Sequence, residues 1–245
     1  MDTIQVYIFY YQPAPLFKSP DYIPVWAGAA INPVNMPGMH GDNQGENISD
    51  RNQTFGELTT WYWVWKNYLP AHPEVEFVGF GHYRRMLDLT AHDFHKNFKR
   101  ICLDEYRRIF ERNQNISLDF LNSCELVLPD RANLKEFNVK QDCFRYHPSE
   151  SDWQAFEDTL LRLYPQYQPY IEPVISRNRL YDCLNFIIRR DLFEDLMNWT
   201  FGILFAIENS GYVYSDSCRI PAFLVERFFN CLLYTSDAAD EARSV

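Results

Sequence analysis

Two short apolar runs rich in β-branched and aromatic residues, Ile4 to Tyr11 and Val75 to Tyr83, are separated by a stretch whose apolar residues recur at helical spacing. Runs of that length fit buried strands, and a parallel pair of strands needs a crossover connection of the helical kind. The helical stretch carries Leu58, Trp61, Tyr62 and Trp65 at i, i+3, i+4 and i+7. Thr54-Phe55-Gly56-Glu57 in front of it has the Thr-x-x-Glu form of a capping box, and the segment from Asn67 to Pro70 should end it. Alternation continues downstream. Asp104 to Arg112 reads as helix and Leu126 to Leu128 as a short strand before Pro129. Ser149-x-x-Asp152 opens a helix through Leu163, Tyr181 to Ile188 reads as strand, and helices are expected over 191–207 and 221–230. The expected class is α/β, a mainly parallel central sheet with helices on both faces.

With 245 residues and 47% hydrophobic content the chain can bury one full core, and no repeat, low-complexity tract or linker divides it. Its 23 Lys and Arg against 33 Asp and Glu give a formal charge of -10, the wrong sign for gripping a nucleic-acid backbone. The longest uncharged apolar candidate, Leu196 to Ile207, is shorter than the roughly 20 residues a spanning helix needs. Met1 to Val6 has no basic region leading into an apolar run, so the sequence predicts a cytoplasmic protein. Cys102, Cys124, Cys143, Cys183, Cys218 and Cys231 lack metal or disulfide spacing and read as reduced thiols, and the Asn-x-Ser/Thr matches at Asn47, Asn52, Asn115 and Asn198 carry correspondingly little weight. Residues 231–245 resemble a translated sequencing adapter. The expected domain is therefore 1–230, C-terminally truncated, with a non-native tail.

Four constellations could carry chemistry. Gly79-Phe80-Gly81-His82-Tyr83-Arg84-Arg85 places two guanidinium groups where a strand ends, the usual ligand position of an open α/β sheet, and paired arginines suit a diphosphate. The bland alternative is a surface pair closing onto Glu76 or Asp88, with His82 a structural histidine. The polar loop from Asp42 to Asn52, inside a Gly/Pro/Asn/Asp-rich segment over 32–52, is long enough to bind a ligand beside a helix start, although the same residues make ordinary turns. Among the aromatics, Trp63 with Lys66 lies opposite the core stripe of its helix and could face a sugar. Asp42, Asp182 and Glu226 are candidate general bases, Glu226 being open to explanation as an internal pair with Arg227. No P-loop, dinucleotide, serine-hydrolase, zincin or kinase signature is present.

At these residues the sequence resembles the bacterial capsular and exopolysaccharide glycosyltransferase family catalogued as domain of unknown function 4422. The resemblance runs through Gly45-Glu46-Asn47-Ile48-Ser49, Glu57-Leu58-Thr59, Tyr62-Trp63-x-Trp65-Lys66-Asn67 and Gly79-x-x-His82-Tyr83-Arg84-Arg85. It continues at His147, Asp152, Pro165-Gln166-Tyr167, Asn185-Phe186-Ile187, Trp199-x-Phe201-x-Ile203-Leu204 and Arg219 to Glu226-Arg227. Glu46, Gly81, Met86-Leu87 and Pro221 depart from the family's usual residues without removing a charge from the main blocks.

The resemblance implies a GT-A-like nucleotide-sugar-binding fold. It also implies a hexosyltransferase that moves a sugar, galactofuranose in some relatives, from a nucleotide-diphosphate donor to a lipid-linked or oligosaccharide acceptor in capsule, exopolysaccharide or O-antigen synthesis. In that reading Asn47, Asn52, Glu57, Lys66, Tyr83, Arg84 and Arg85 hold the donor. Trp63, His147 and Asn185 meet the acceptor, and Asp42, Glu226 and His82 serve catalysis. GT-A enzymes often hold manganese or magnesium on an Asp-x-Asp after a central strand. Here His82-Tyr83-Arg84-Arg85 stands at that place, so no metal ligands are assigned and a divalent cofactor is left open. Nucleic acid is not an expected partner, and peripheral association with the inner membrane face is compatible with the assignment. The rival readings are a non-catalytic carbohydrate-binding or assembly subunit and a sugar-phosphate-processing enzyme outside glycosyl transfer.

Overall fold

Side-chain alternation along the first strand decides how the sheet is buried. In Thr3–Tyr10 (β1), Ile4, Val6, Ile8 and Tyr10 join Phe17, Tyr22, Phe77 and Phe110 in one apolar cluster, whereas Tyr7 turns the other way to meet Phe80 and Tyr68. A strand covered on both faces needs no polar alternation, which is why Ile4 to Tyr11 reads as a continuous apolar run. The computed structural model describes residues 3–33, 37–87, 107–108, 110–111, 124–146, 148–216 and 218–235. Most of the helix expected over Asp104 to Arg112 lies outside them, though 107–108 and 110–111 are helical.

Tyr22–Trp26 (β2) pairs parallel with β1, and His40–Gly41 (β3) pairs parallel with β2. Val75–His82 (β4) pairs parallel with β1 on its other side, Thr3 to Phe9 against Val75 to His82. The later strands are Leu126–Val127 (β5), Ala132–Asn133 (β6), Arg179–Leu180 (β7) and Phe186–Arg189 (β8). The main sheet runs β3-β2-β1-β4-β8-β5, with β8 antiparallel to both neighbours, while β6 and β7 form a separate antiparallel ribbon. This is the α/β class expected, with mostly parallel strands. The strand anticipated over Tyr181 to Ile188 starts only at Phe186, because Cys183 and Leu184 both sit in the left-handed region, at φ 69° and 47°.

The connection from β3 to β4 is helical but not as its sequence suggested. Asn52–Phe55 (α1) is followed by Gly56 at φ +55°, and the helix restarts as Leu58–Trp63 (α2). The Thr54/Glu57 capping box does not form: Glu57 occupies the N-cap with no side-chain cap bond, since the left-handed glycine sets the break two residues after Thr54. A π-helical turn, Val64–Tyr68, leads into Leu69–Ala71 (α3), past the expected stop. The helix buries Trp61 against Phe80 and Phe186, with ring centroids 5.4 and 5.2 Å apart. At its end the Arg190 guanidinium donates to Leu69 O at 3.0 Å and His72 O at 3.0 Å, satisfying two of the carbonyls there.

The described residues fall into two compact units, one drawn from 1–52, 57–130 and 183–194 and the other from 53–56, 131–182 and 195–245. The first holds the main sheet. The second is built from Val139–Phe144 (α4), Glu150–Leu163 (α5), Gln168–Ile175 (α6), the part of Arg190–Asn209 (α7) after Glu194, and Ile220–Thr235 (α8), with the β6–β7 ribbon. Trp153 and Phe156 stack on Phe228 at 4.6 and 4.7 Å. Ser149 and Asp152 form the capping box read from sequence, and Asp152 also accepts from Tyr212 Oη and Ser215 N. The helix expected over 221–230 runs on to Thr235, with Cys231 fully buried. None of the helices among the described residues is long and apolar enough to cross a membrane.

Two measurements check this packing. A Cβ on Gly79 would lie 2.8 Å from Val6 Cγ2 and 3.0 Å from Ile187 Cγ1, inside a paired strand with little room to give. Gly79→Ala should therefore cost about 1–3 kcal/mol in urea unfolding, and an unchanged midpoint would contradict the close approach. Burial alone would raise the Asp152 pKa, but hydrogen bonds from Ser149 and Ser215 outweigh it and hold the carboxyl below its ordinary value. A depressed folded pKa contributes stability that is complete above the unfolded value near ~4 and is lost as pH falls through the folded one. Asp152→Asn should lower stability at neutral pH and flatten its decline in acid. Parallel acid-unfolding curves would show that the carboxylate carries no such linkage.

Candidate functional site

The parallel pairing of β1 with β4 brings Tyr11, just past the end of one strand, beside His82, Tyr83 and Arg84 at the end of the other. Tyr83 is buried and stacks on Tyr10 at 5.5 Å, and burial pushes its hydroxyl pKa well up. Its ring meets that of Tyr11 edge-to-face at 5.3 Å, and the exposed Arg84 lies against this pair, its guanidinium carbon 5.2 and 5.6 Å from the Tyr83 and Tyr11 centroids and its Nη2 donating to Tyr11 Oη. An exposed cation braced against two rings keeps its charge available while losing orientational freedom. His82, 9% exposed, packs edge-on to Phe9 and accepts the Arg84 backbone N–H at Nδ1, 3.1 Å away. In its neutral form that ring carries its proton on Nε2.

Arg85 is half-buried, and its Nη1 approaches Cys183 Sγ at 2.7 Å. The β4–β8 register, Phe80 opposite Phe186, places the Cys183–Leu184–Asn185 segment beside the same strand end. Left-handed backbone at two successive non-glycine residues costs of order 1–2 kcal/mol each and is commonest where function requires it. Asn185 is 3% exposed, and its Oδ1 has no hydrogen-bond partner among the described residues, a buried acceptor awaiting a donor. His82, Tyr83, Arg84, Arg85 and Asn185 are thus the predicted residues that the fold assembles around one strand end.

The second predicted region is an ordered loop, not an open one. The Asp42 carboxylate, fully buried, accepts from Gly28 N and Ala29 N at 2.9 Å each, from Thr59 Oγ1 at 2.6 Å and from Ser49 Oγ. Its lone pairs are spent on bracing the segment after β2 against the helix, which corrects the expectation of a base open to substrate. Asn47 closes its own turn, donating to Gly45 O and accepting from Ser49 N, and Asn52 donates to Thr59 Oγ1 at 2.9 Å, so neither amide stands out toward a donor as the sequence suggested.

Asn67, in the π-helical turn, receives Glu46 N at 3.0 Å and donates to Glu46 O at 2.7 Å, while Tyr62 Oη donates to Glu46 Oε1 at 2.6 Å. Burial and that carboxylate push the Tyr62 pKa up to about 12. Gly45, at φ +63°, could carry no side chain there: a Cβ would fall 1.9 Å from Asn67 Oδ1.

Trp63 is corrected as well. It is 4% exposed, packed against His40 and Tyr68 at 5.8 and 5.6 Å, and therefore belongs to the core rather than to a sugar-binding face. Its neighbour Lys66 folds over the Trp65 ring at 3.5 Å. Glu57 is half-buried at the broken helix start. Glu226 lies in the second unit, where it accepts from Arg227 Nη1 at 2.9 Å while Arg227 Nη2 donates to buried Asp142 at 2.8 Å, the internal pair foreseen as its alternative reading. His147 lies outside the described residues. Sequence reasoning did not assign roles to Tyr11, Tyr62 or Asn67, whose partners are far away in the chain; the motif around Tyr62 and Asn67 was the available signal.

A GT-A-like fold raises the question of a divalent ion at this strand end. Two guanidinium groups stand there, and among the described residues no group of three or more His, Cys, Asp and Glu side chains could hold a metal. The described donor set does not fit such an ion.

Asp42→Asn would replace one accepting oxygen by an NH2 aimed at existing donors. It should lower stability by about 2–4 kcal/mol, read by urea unfolding. A variant of unaltered stability but abolished activity would instead restore Asp42 as the base.

Comparison with known proteins agrees with this fold. The family described as Domain of unknown function (DUF4422) matches residues 5–237. No curated protein matches the chain. Among solved structures, the bifunctional glycosyltransferase WbbM in its apo form superposes with a TM-score of 0.79 at 26% sequence identity, over 98% of this chain and 43% of that one. The chain therefore spans less than half the length of that protein. Its α/β architecture is GT-A-like, a mixed sheet of mostly parallel strands with helices. On the extent of the family match, the chain belongs to the family of domain of unknown function 4422.

Proposed function

We propose that the chain is a glycosyltransferase that moves a hexosyl group from a nucleoside-diphosphate sugar to a glycan acceptor. The observation that carries this reading is Arg84 at the carboxyl end of β4, exposed and braced against the Tyr11–Tyr83 ring pair, in a fold similar to that of a glycosyltransferase. In the transfer step the acceptor oxygen attacks the anomeric carbon, the bond from that carbon to the diphosphate breaks, and negative charge collects on the departing diphosphate. Cations already aimed at the place where charge develops stabilise it without reorganising at the moment of reaction. Arg84 takes that role first, and Arg85 supports it from beside Cys183. Tyr83 positions Arg84, His82 donates from Nε2 to a substrate oxygen, and the Asn185 Oδ1 receives a sugar hydroxyl.

Asn47, Asn52, Glu57 and Lys66 contribute to donor binding through the loop and helix start that they shape, more than by direct contact. For the acceptor proton, Glu226 as base and His147 as orienting group stay proposals from the sequence alone, Glu226 having to give up its bond from Arg227 to act, and Asp42 is withdrawn because its oxygens are occupied. The family resemblance supports galactofuranose as donor sugar and a lipid-linked or oligosaccharide acceptor of capsule, exopolysaccharide or O-antigen synthesis at the inner membrane face.

Arg84→Ala should reduce donor turnover by roughly 10²-fold or more, measured as nucleoside diphosphate released from a panel of nucleotide sugars with acceptor present and absent. Unchanged turnover would reject the assignment. Polysaccharide binding without any donor binding in the native chain would favour a non-catalytic subunit.

A further inference from the structure

We infer that the second unit carries a separate binding site for a phosphate-bearing ligand, in a groove along the β6–β7 ribbon. The groove encloses about 580 Å³, within the range of small-molecule sites. Arg131, Lys135, Arg177 and Arg179 line it against the single carboxylate of Glu136. A local excess of positive charge in a chain of net charge -10 is a concentration that random surface placement does not explain. Among the described residues no carboxylate forms an ion pair with Arg131, Lys135 or Arg179.

The cations are also held in place. Lys135 sits at φ 60°, a conformation that lysine adopts at a cost, and the turn that imposes it is fastened from both sides. Its N–H donates to Asn133 Oδ1 at 2.8 Å, and its carbonyl receives Asn178 Nδ2 at 3.3 Å. Leu134 N donates across to Asn178 O at 2.8 Å, and Val139 N to Arg177 O at 2.9 Å, tying the two halves of the groove together. Asn133 pairs with Arg179 in the ribbon, and the Arg131 guanidinium rests on the Tyr181 ring at 5.1 Å.

The neutral polar groups of the lining are largely engaged within the protein. Asn138 caps α4, Gln141 answers it, and Ser176 Oγ donates to Glu172 O. What remains for a ligand is cationic and fork-shaped, which selects an oxyanion of more than one charge over a neutral sugar. Phosphate, as a phosphorylated saccharide or as the headgroup of a phospholipid or lipid-linked carrier, has that chemistry. The inference stands independently of the donor site at Arg84 and Arg85, since every groove residue belongs to the other unit.

The test uses the full chain carrying Arg84→Gln and Arg85→Gln, so that the proposed donor site does not contribute, and titrates inorganic diphosphate by calorimetry. Binding should persist, weaken as salt rises, and fall about 10-fold or more on adding Arg131→Gln with Arg179→Gln. Lys135→Gln, at an exposed turn, should weaken binding in the same direction, with circular dichroism confirming an intact fold for each variant. Absence of diphosphate binding in the Arg84/Arg85 variant, or binding indifferent to the groove substitutions, overturns the inference while leaving the donor-site reading untouched. Co-sedimentation with vesicles of phosphatidylglycerol and phosphatidylcholine then separates the sources. Vesicle binding lost with the groove substitutions assigns a lipid phosphate; groove-dependent diphosphate binding without vesicle binding assigns a soluble one.

Discussion

The parallel register of β1 on β4 is the constraint on which the rest of the first unit depends. It is tight because β4 presents Gly79 and Gly81 where Val6, Ile8 and Ile187 close in, so an added side chain at Gly79 or Gly81 would force its neighbours to shift. That closeness fixes where the two strands end. Tyr10 and Tyr11 finish one of them, His82 to Arg85 finish the other, and the aromatic clamp on Arg84 follows from their being neighbours. The charge at the strand end is thus a consequence of backbone pairing rather than of a flexible surface side chain.

A second layer of constraint holds the polypeptide around that strand end. Asp42 ties the residues after β2 to the helix through Thr59, and Asn67 and Tyr62 tie Glu46 to the same helix two turns on. The Asp42 contacts are buried and the Tyr62 contact half-buried, and such polar contacts rigidify a loop when their partners are satisfied, while the Asn67 pair lies at the surface. Asn185, beside the strand end, differs from that network: among the described residues its buried oxygen has no hydrogen-bond partner, as is also true of the Tyr83 hydroxyl. A satisfied frame around an unsatisfied acceptor is the pattern of a site built to receive a ligand's donor.

Local signals were legible in the sequence, and long-range ones were not. The Ser149–Asp152 capping box depends on four consecutive residues and was readable, as was the β-rich run that ends in His82-Tyr83-Arg84-Arg85. The Thr54–Glu57 box, a hydroxyl residue followed three later by an acid like the other, failed because Gly56 takes a left-handed turn that the pattern cannot express. β3, two residues long, falls below any periodic signal and was hidden within the loop over 32–52. Trp63 looked like an outward face because helical spacing alone ignores His40, which arrives from β3 to cover it. The role of Asp42 could not be read at all, since its partners at Gly28, Ala29, Ser49 and Thr59 come together only in the folded chain.

The account's central claim concerns where the diphosphate of the donor rests. A crystal structure of the chain with a bound nucleoside diphosphate tests it most directly. The claim predicts phosphate oxygens within about 3 Å of the Arg84 guanidinium, at the carboxyl end of β4. A diphosphate seated elsewhere in the first unit, with the Tyr11–Arg84–Tyr83 clamp unchanged and uninvolved, would contradict it.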